Sequence, residues 1–221
     1  MKRLNIQIDV TGRRNLLDNN ETIVLVFPQG QYDKYFIACV SFSPFGDNNL
    51  VEFSDAWVAY ASAQDINHWD IAHMDASVKA APGYVQAFTN LGFEGNRPAY
   101  AKQVFGILNN RDIGAGNNLC CGFGRQIKVN NNSTNYVVSL SSLPYNQTFN
   151  FEAGTKLRIF LAKGFQSNMI VPAAALTPVS TAAARSAMPP FIGSYLEIDL
   201  DDTNTVHFDS ATNVFVEGGE S

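Results

Sequence analysis

Apolar and polar side chains alternate along many short stretches of this chain, a pattern typical of β-strands. From Leu4 to Val10 every second residue is aliphatic, which predicts a half-buried first strand. Residues 22–27 form a continuous β-branched and apolar run, as in a strand buried on both faces. Similar stretches recur between turn-forming residues as far as the C-terminus. The pattern predicts about ten to twelve short strands.

The segments between these strands are predicted as turns and loops. Residues 11–20, 92–98 and 130–135 are polar or rich in glycine and asparagine. Residues 63–81 fit neither period and are predicted as a loop with one helical turn. Prolines restrict any helix in the alanine-rich connection to about 180–187. The expected fold is all-β, an antiparallel sandwich or barrel with little helix.

The 221 residues are predicted to form one β domain with an acidic C-terminal tail. Residues 1–185 contain all 15 lysines and arginines and 13 acids, whereas residues 186–221 contain seven acids and no base. The polar stretch 109–118 is the one place where a weak domain boundary is suggested. Strands do not alternate with helices, which disfavours an α/β fold.

The weak charge of the chain excludes several classes of function. Only 16% of residues are charged, which favours neutral polar ligands or self-association. No basic run points to nucleic acid, and no apolar stretch is long enough to span a membrane. Without a recognisable signal peptide a cytoplasmic location is expected, or secretion if a leader preceded Met1. Three cysteines do not form a disulfide framework, and no motif calls for a cofactor.

Two histidines lie close together in a segment that could hold a metal ion. His68 and His73 are each followed two residues later by an aspartate, Asp70 and Asp75. Imidazole and carboxylate suit a divalent first-row metal, and His207 could supply a third nitrogen. The spacing matches no standard zinc pattern, so an ordinary polar loop is the alternative.

Four aromatic residues are candidates for a platform on which a sugar ring could stack: Trp57, Tyr60, Trp69 and Tyr84. Such residues more often belong to the core, so burial is the alternative interpretation.

Regularly spaced acids occur in the stretch Phe191–Phe215, which is predicted as two strands joined by an aspartate-rich turn. Glu197 and Asp199 alternate with aliphatic residues and therefore share one face of a strand. Two carboxylates in a cleft are what glycoside hydrolysis requires, and Glu197 is the better candidate for the acid.

From Lys156 onward the chain resembles the glycoside hydrolase family 64 β-1,3-glucanases, which are related to thaumatin-like proteins. The resemblance rests on the strand LRIFLA at 157–162, the proline-rich connection 172–190 and the aromatic-x-Glu strand at 195–197, and it extends to about residue 216. It implies that Glu197 corresponds to the catalytic acid. The position of the family's second carboxylate is Asn213, which cannot serve as a base. Asp209 could replace it only in a different register.

Three functions follow from these observations. One is a non-enzymatic module that binds β-glucan or another neutral carbohydrate through the aromatic residues, Glu197 and Asp199. Another is a self-assembling protein of an ordered lattice or inclusion. The third is a hydrolase that uses Glu197 with Asp209 or Asp199. The incomplete acid pair disfavours the enzyme.

Overall fold

The computed structural model describes residues 1–28, 35–112, 118–176, 191–192 and 195–218. Within them lie nineteen strands, one α-helix, α1 (Val10–Asp18), and a short 3-10 helix (Ala173–Leu176). The strands are β1 (Lys2–Ile8), β2 (Thr22–Val26), β3 (Tyr35–Ala38), β4 (Val40–Phe42), β5 (Asn48–Ser62), β6 (Ala76–Ala80), β7 (Tyr84–Thr89), β8 (Gly92–Pro98), β9 (Val104–Asn109), β10 (Leu119–Val129), β11 (Asn132–Val137), β12 (Ser141–Leu143), β13 (Thr148–Glu152), β14 (Lys156–Lys163), β15 (Met169–Pro172), β16 (Phe191–Ile192), β17 (Leu196–Asp199), β18 (Thr203–Asp209) and β19 (Val214–Glu217).

These strands form four sheets, which confirms the all-β prediction. Sheet I has eight strands in the order β11-β10-β5-β1-β18-β19, with β12 beside β10 and β6 beside β5. Sheet II has the order β16-β14-β2-β4, with β17 also on β14; sheet III has the order β13-β9-β7-β8; and sheet IV pairs β15 with β3. The described strands do not close into a barrel. Pairing is antiparallel except between β1 and β18 and between β7 and β9.

The main core lies where the inner faces of sheets I, II and III meet. Its centre is aromatic: the rings of Phe123 and Phe151 stack with centroids 5.2 Å apart, and Phe105 and Trp57 pack against them. A second apolar cluster joins the other face of sheet II to sheet IV, and a third joins sheet IV to sheet I. Because sheet IV lies between two layers, neighbouring residues of β3 are buried on both of its faces.

The predicted first strand and the buried run 22–27 are confirmed by β1 and β2, but the strand does not reach Val10. Asp9 caps the N-terminus of α1, since its side chain accepts a hydrogen bond from the Gly12 N–H. Val10 is the first residue of the helix and is 57% exposed. The prediction of a turn at 11–20 was wrong, because Leu16 is buried in the core and anchors this short helix.

Three other predicted turns contain strands. The glycine-rich stretch 92–98 is β8, which forms an edge and pairs only with β7 among the described strands, so its glycines and proline are tolerated. The predicted turn at 130–135 is a hairpin with a two-residue loop, where Asn130 has a φ of 52°. Part of the predicted loop 63–81 is β6. The number of strands therefore exceeds the predicted ten to twelve. The possible helix at 180–187 lies outside the described residues.

The described part of the acidic C-terminal segment contributes strands to sheets I and II. β18 lies between β1 and β19 in sheet I, and β17 pairs with β14 in sheet II. The strands on both sides of stretch 109–118 contribute residues to the same core. No helix in the described part of the chain is long and apolar enough to cross a membrane.

Candidate functional site

Glu197 lies on β17 with its carboxylate held between two cations. The register of β17 on β14 places it opposite Arg158, whose Nε donates a hydrogen bond to Oε2 at 2.8 Å. Lys156 Nζ donates to Oε1 at 2.9 Å. These two bonds, that from Lys156 first, hold the pKa of Glu197 below its usual range. Tyr195 packs against the Arg158 guanidinium, 4.8 Å from the ring centroid. A general acid needs a raised pKa, so this environment suits an ion pair better than proton donation.

The second carboxylate of the predicted pair lies on a different sheet. Asp209 ends β18 in sheet I and accepts hydrogen bonds from Thr212 Oγ1 at 2.6 Å and from the Ala211 N–H at 2.9 Å. These bonds lower the pKa of Asp209, the Thr212 bond most. Asn213 lies in the turn that follows, with a φ of 58°, and its N–H donates to the Asp209 carbonyl. Both residues therefore shape the β18–β19 hairpin. Asp199 is exposed on β17 and accepts from Thr155 Oγ1 at 3.2 Å.

The four aromatic candidates do not form one surface. Trp57 is 8% exposed and packs among core phenylalanines. Tyr60 is fully buried, and its hydroxyl donates to the Ser139 carbonyl at 2.8 Å. Tyr84 and Trp69 are 44% and 40% exposed, but they lie on different elements: Tyr84 begins β7, and Trp69 lies in the loop between β5 and β6.

The loop that carries Trp69 is fixed to sheet IV by backbone hydrogen bonds. The Trp69 N–H donates to the Ile170 carbonyl at 2.6 Å, and the Ile170 N–H donates to the Asp70 carbonyl at 2.8 Å. The Ala72 N–H donates to the Asn168 carbonyl at 2.8 Å. The indole rests with an edge-to-face geometry on Phe165, a buried residue 6.3 Å away between ring centroids. An exposed tryptophan is thus held on a rigid support.

The backbone of Trp69 is in an unfavourable conformation. Its φ of 72° lies in the left-handed region, which bulky side chains rarely adopt. Such a conformation costs about 1–3 kcal/mol and persists only where the surroundings enforce it, often at ligand sites. Ile170 supplies that constraint, because its carbonyl accepts from the Trp69 N–H and its own N–H donates to the Asp70 carbonyl.

The residues beside Trp69 include polar side chains that could ligate a metal. His68 and His73 are exposed, and Asp70 is half-buried. Within the described ranges no three histidine, cysteine, aspartate or glutamate side chains are grouped as metal ligands. Asp75 accepts from the Ala63 N–H at 2.8 Å, which does most to lower its pKa, and from Ser62 Oγ at 3.0 Å. His207 lies on β18, where Nδ1 contacts the Gly218 carbonyl at 3.0 Å.

The carboxylates of the surface cleft and the cysteine thiols are reactive groups that already have structural roles or are buried. A surface cleft of about 310 Å³ is lined by Asp9 and Asp47, but Asp9 caps α1 and Asp47 pairs with Arg13 at 3.1 Å. The three cysteines are free and buried, and burial raises the pKa of Cys120 to about 12. A buried thiol with a raised pKa is a poor nucleophile at neutral pH.

The supporting residues of the Trp69 loop were not identified from the sequence. Phe165 and Asn168 lie almost 100 residues further along the chain, and only the pairing of sheet IV brings them to the loop. One local signal was present in the sequence: Asn168 stands directly before the apolar run of β15. In the structure Asn168 has a φ of 66°, a conformation that asparagine tolerates.

Comparison of the chain with protein-family models, with curated proteins and with solved structures found no match. The likeness of the C-terminal segment to β-1,3-glucanases therefore depends on the residues quoted for it alone.

Proposed function

We propose that this protein is a non-enzymatic binding module that recognises a neutral carbohydrate through Trp69. The observation that carries the proposal is the exposed indole, which a strained backbone and a buried phenylalanine hold in one orientation. An aromatic face stacks well on the apolar C–H face of a sugar ring, and a rigid support reduces the entropy lost on binding.

The surroundings of Trp69 favour a neutral, hydroxyl-rich ligand. Histidines 68 and 73 can donate or accept hydrogen bonds, and the Asp70 carboxylate can accept them. Aspartates 65, 70 and 75 all lie in this loop, so an anionic ligand would meet repulsion. A hydroxyl group can pair with both kinds of partner. Among neutral sugars, β-glucan is the first choice because of the resemblance in the C-terminal segment.

The environment of Glu197 supports binding rather than hydrolysis. Lys156 and Arg158 keep this carboxylate ionised, and Asp209 is used in a turn of another sheet. An acid pair for glycoside cleavage needs two carboxyl groups on opposite sides of one bond.

The test is co-sedimentation of the protein with insoluble β-1,3-glucan, with cellulose and chitin as parallel polysaccharides. The native chain should bind at least one of them, and Trp69→Ala should weaken that binding about tenfold, which corresponds to about 1.4 kcal/mol. Tyr100→Ala is the matched control, because it removes another exposed ring, 76% accessible, outside the loop. Native protein that sediments with none of the three, or a Trp69→Ala variant that binds as well as native, would overturn the proposal.

A second measurement tests hydrolysis on the same samples. No reducing sugar should be released by the native chain. Release that disappears in Glu197→Gln would instead assign catalysis to Glu197.

A further inference from the structure

One end of sheet I is a strand without charge. The 23 residues from Val129 to Phe151 contain no lysine, arginine, aspartate or glutamate. β11 lies within this segment and forms the end of the sheet beyond β10. Its residues Asn132 to Asn135 are exposed.

The backbone of β11 presents hydrogen-bonding groups on its outer side. In an antiparallel ladder, alternate residues direct both N–H and C=O toward the neighbouring strand or away from it. The two-residue loop makes Val129 and Asn132 a bonded pair, so Ser133, Asn135 and Val137 point away from β10. The Val137 N–H does point away, since Asn168 Oδ1 accepts it at 2.8 Å.

Ser133 and Asn135 have no such cap. Because both point away from β10, their backbone groups take no part in that ladder, and among the described residues neither forms a backbone hydrogen bond elsewhere. Past Val137 the regular edge ends, because the N–H groups of Val138 and Ser139 both turn inward to the Phe123 carbonyl. The open edge is thus limited to β11.

Several other edge strands carry the devices that normally prevent edge-to-edge pairing. Charged residues occur on four of them: Lys79 on β6, Glu94 and Arg97 on β8, Glu152 on β13 and Glu217 on β19. On β4, the Ser41 N–H is capped by Ser167 Oγ at 2.9 Å. β11 differs from these edges, because it combines exposed backbone groups with a complete absence of charge.

We propose that β11 pairs with β11 of a second copy of this chain, antiparallel about a two-fold axis at Thr134. In this register Ser133 faces Asn135 of the other copy, and each of these two pairs exchanges two backbone hydrogen bonds. The two Thr134 residues face each other in the pair between them, where side chains approach most closely. Sheet I becomes continuous across the dimer.

A second copy fits this edge better than an unrelated strand for an electrostatic reason. A two-fold axis places every residue opposite itself or its mirror position, so any charge near the axis meets a like charge. From Asn132 to Tyr136 there is none, and each facing pair combines hydroxyl, amide or aromatic groups. The surface therefore complements itself without repulsion.

The test introduces a positive or a negative charge at Thr134 in separate variants. The molar mass of each protein is measured by light scattering after size-exclusion chromatography. The native chain should have twice its 24.2 kDa mass at high concentration and dissociate on dilution. Thr134→Lys and Thr134→Glu should each raise the dimer dissociation constant at least about tenfold, because like charges then face each other. An equimolar mixture of the two variants should restore the dimer. Asn96→Lys, an exposed position on the edge strand β8, should leave the dimer intact.

Amide hydrogen exchange tests the same interface in the native protein, so its result does not depend on whether a variant folds. In the native protein the amides of Ser133 and Asn135 should become more protected as concentration rises, without any substitution. A native chain that stays monomeric at every concentration, or a dimer that both Thr134 variants retain, would overturn the proposal. So would exchange at Ser133 and Asn135 that does not depend on concentration.

Discussion

A buried arginine stabilises the junction between β5 and β10, and its removal should measurably destabilise the fold. The side chain of Arg125 is 6% exposed and lies beside a bulge in the β5–β10 pairing. Its guanidinium donates to the carbonyls of Ser54 and Phe53 and lies 5.2–6.0 Å from the ring centroids of Trp57, Phe53 and Phe27. Burial lowers the pKa of Arg125.

The magnitude follows from these contacts. Arg125→Met keeps most of the volume but leaves the buried Phe53 carbonyl and the partly buried Ser54 carbonyl without this donor, at about 1–3 kcal/mol. Loss of the cation–π contacts adds about 0.5–1 kcal/mol, so we expect about 2–3 kcal/mol of destabilisation. Arg125→Ala also removes packed methylene groups at about 0.8 kcal/mol each, which brings the total to about 4–5 kcal/mol.

Urea denaturation followed by fluorescence measures the destabilisation of Arg125→Met and of Arg125→Ala from the shift of the unfolding midpoint. The dependence of the unfolding free energy on urea concentration should stay unchanged. Asp55→Asn is the control: Asp55 is 73% exposed and 3.7 Å from the guanidinium, so its loss should change stability by less than about 0.5 kcal/mol. An Arg125→Met variant as stable as native protein would refute the reasoning, because the two carbonyls would then not need the buried cation.

Three further predictions concern packing, pH and thiol chemistry. Gly122→Ala should destabilise the protein by about 1–3 kcal/mol, because a Cβ there would clash with the Ser139 carbonyl oxygen. Gly46→Ala meets only ordinary contacts and is the control, and thermal melts of both variants check this. Hydrogen bonds from Lys128 and Lys156 lower the pKa values of Glu52 and Glu197 in the folded state. The stability that these carboxylates contribute should therefore be constant above the ordinary glutamate pKa of about 4.3 and should fall as acid protonates the two carboxylates. The double substitution Glu52→Gln with Glu197→Gln should flatten that decline in urea titrations from pH 6 to 3. A decline of unchanged steepness would show that these two carboxylates do not cause it. Iodoacetamide at pH 8 should leave the three buried thiols of native protein unmodified, whereas all three should react in urea. A pKa of about 12 instead of 9.0 lowers the thiolate fraction of Cys120 about a thousandfold. Rapid labelling of the folded protein, detected by mass spectrometry, would contradict the burial of the thiols.

Local patterns predicted the strands whose alternation is regular, and they failed where pairing decides. The alternation of Glu197 with Ile198 correctly placed the acids on one face of β17. The partners of Glu197 could not be predicted, because Lys156 and Arg158 come from a strand about 40 residues earlier and register alone sets the contact. β8 looked like a turn, since the glycine and proline that argue against a strand are acceptable at an edge.

The aromatic candidates show the same limit. Trp57 and Tyr60 lie three residues apart on β5, and opposite faces of this long strand are covered by different layers of the fold. Sequence alone could not separate them from Trp69, because exposure depends on which sheet packs over a given stretch. The φ of Trp69 is likewise imposed by Asp70 and Ile170 through tertiary hydrogen bonds.

The parallel pairing of β1 with β18 has a consequence for how the protein is made. Ile6 pairs with Val206, 200 residues later in the chain. At about 5–20 residues per second, a ribosome needs about 10–40 s to complete that interval. Throughout it, β1 can pair with β5 on one side but has an unsatisfied backbone on the other, so this open edge of β1 is a site where the growing chain can misassemble. Sheet I is therefore completed only after β18 has been made.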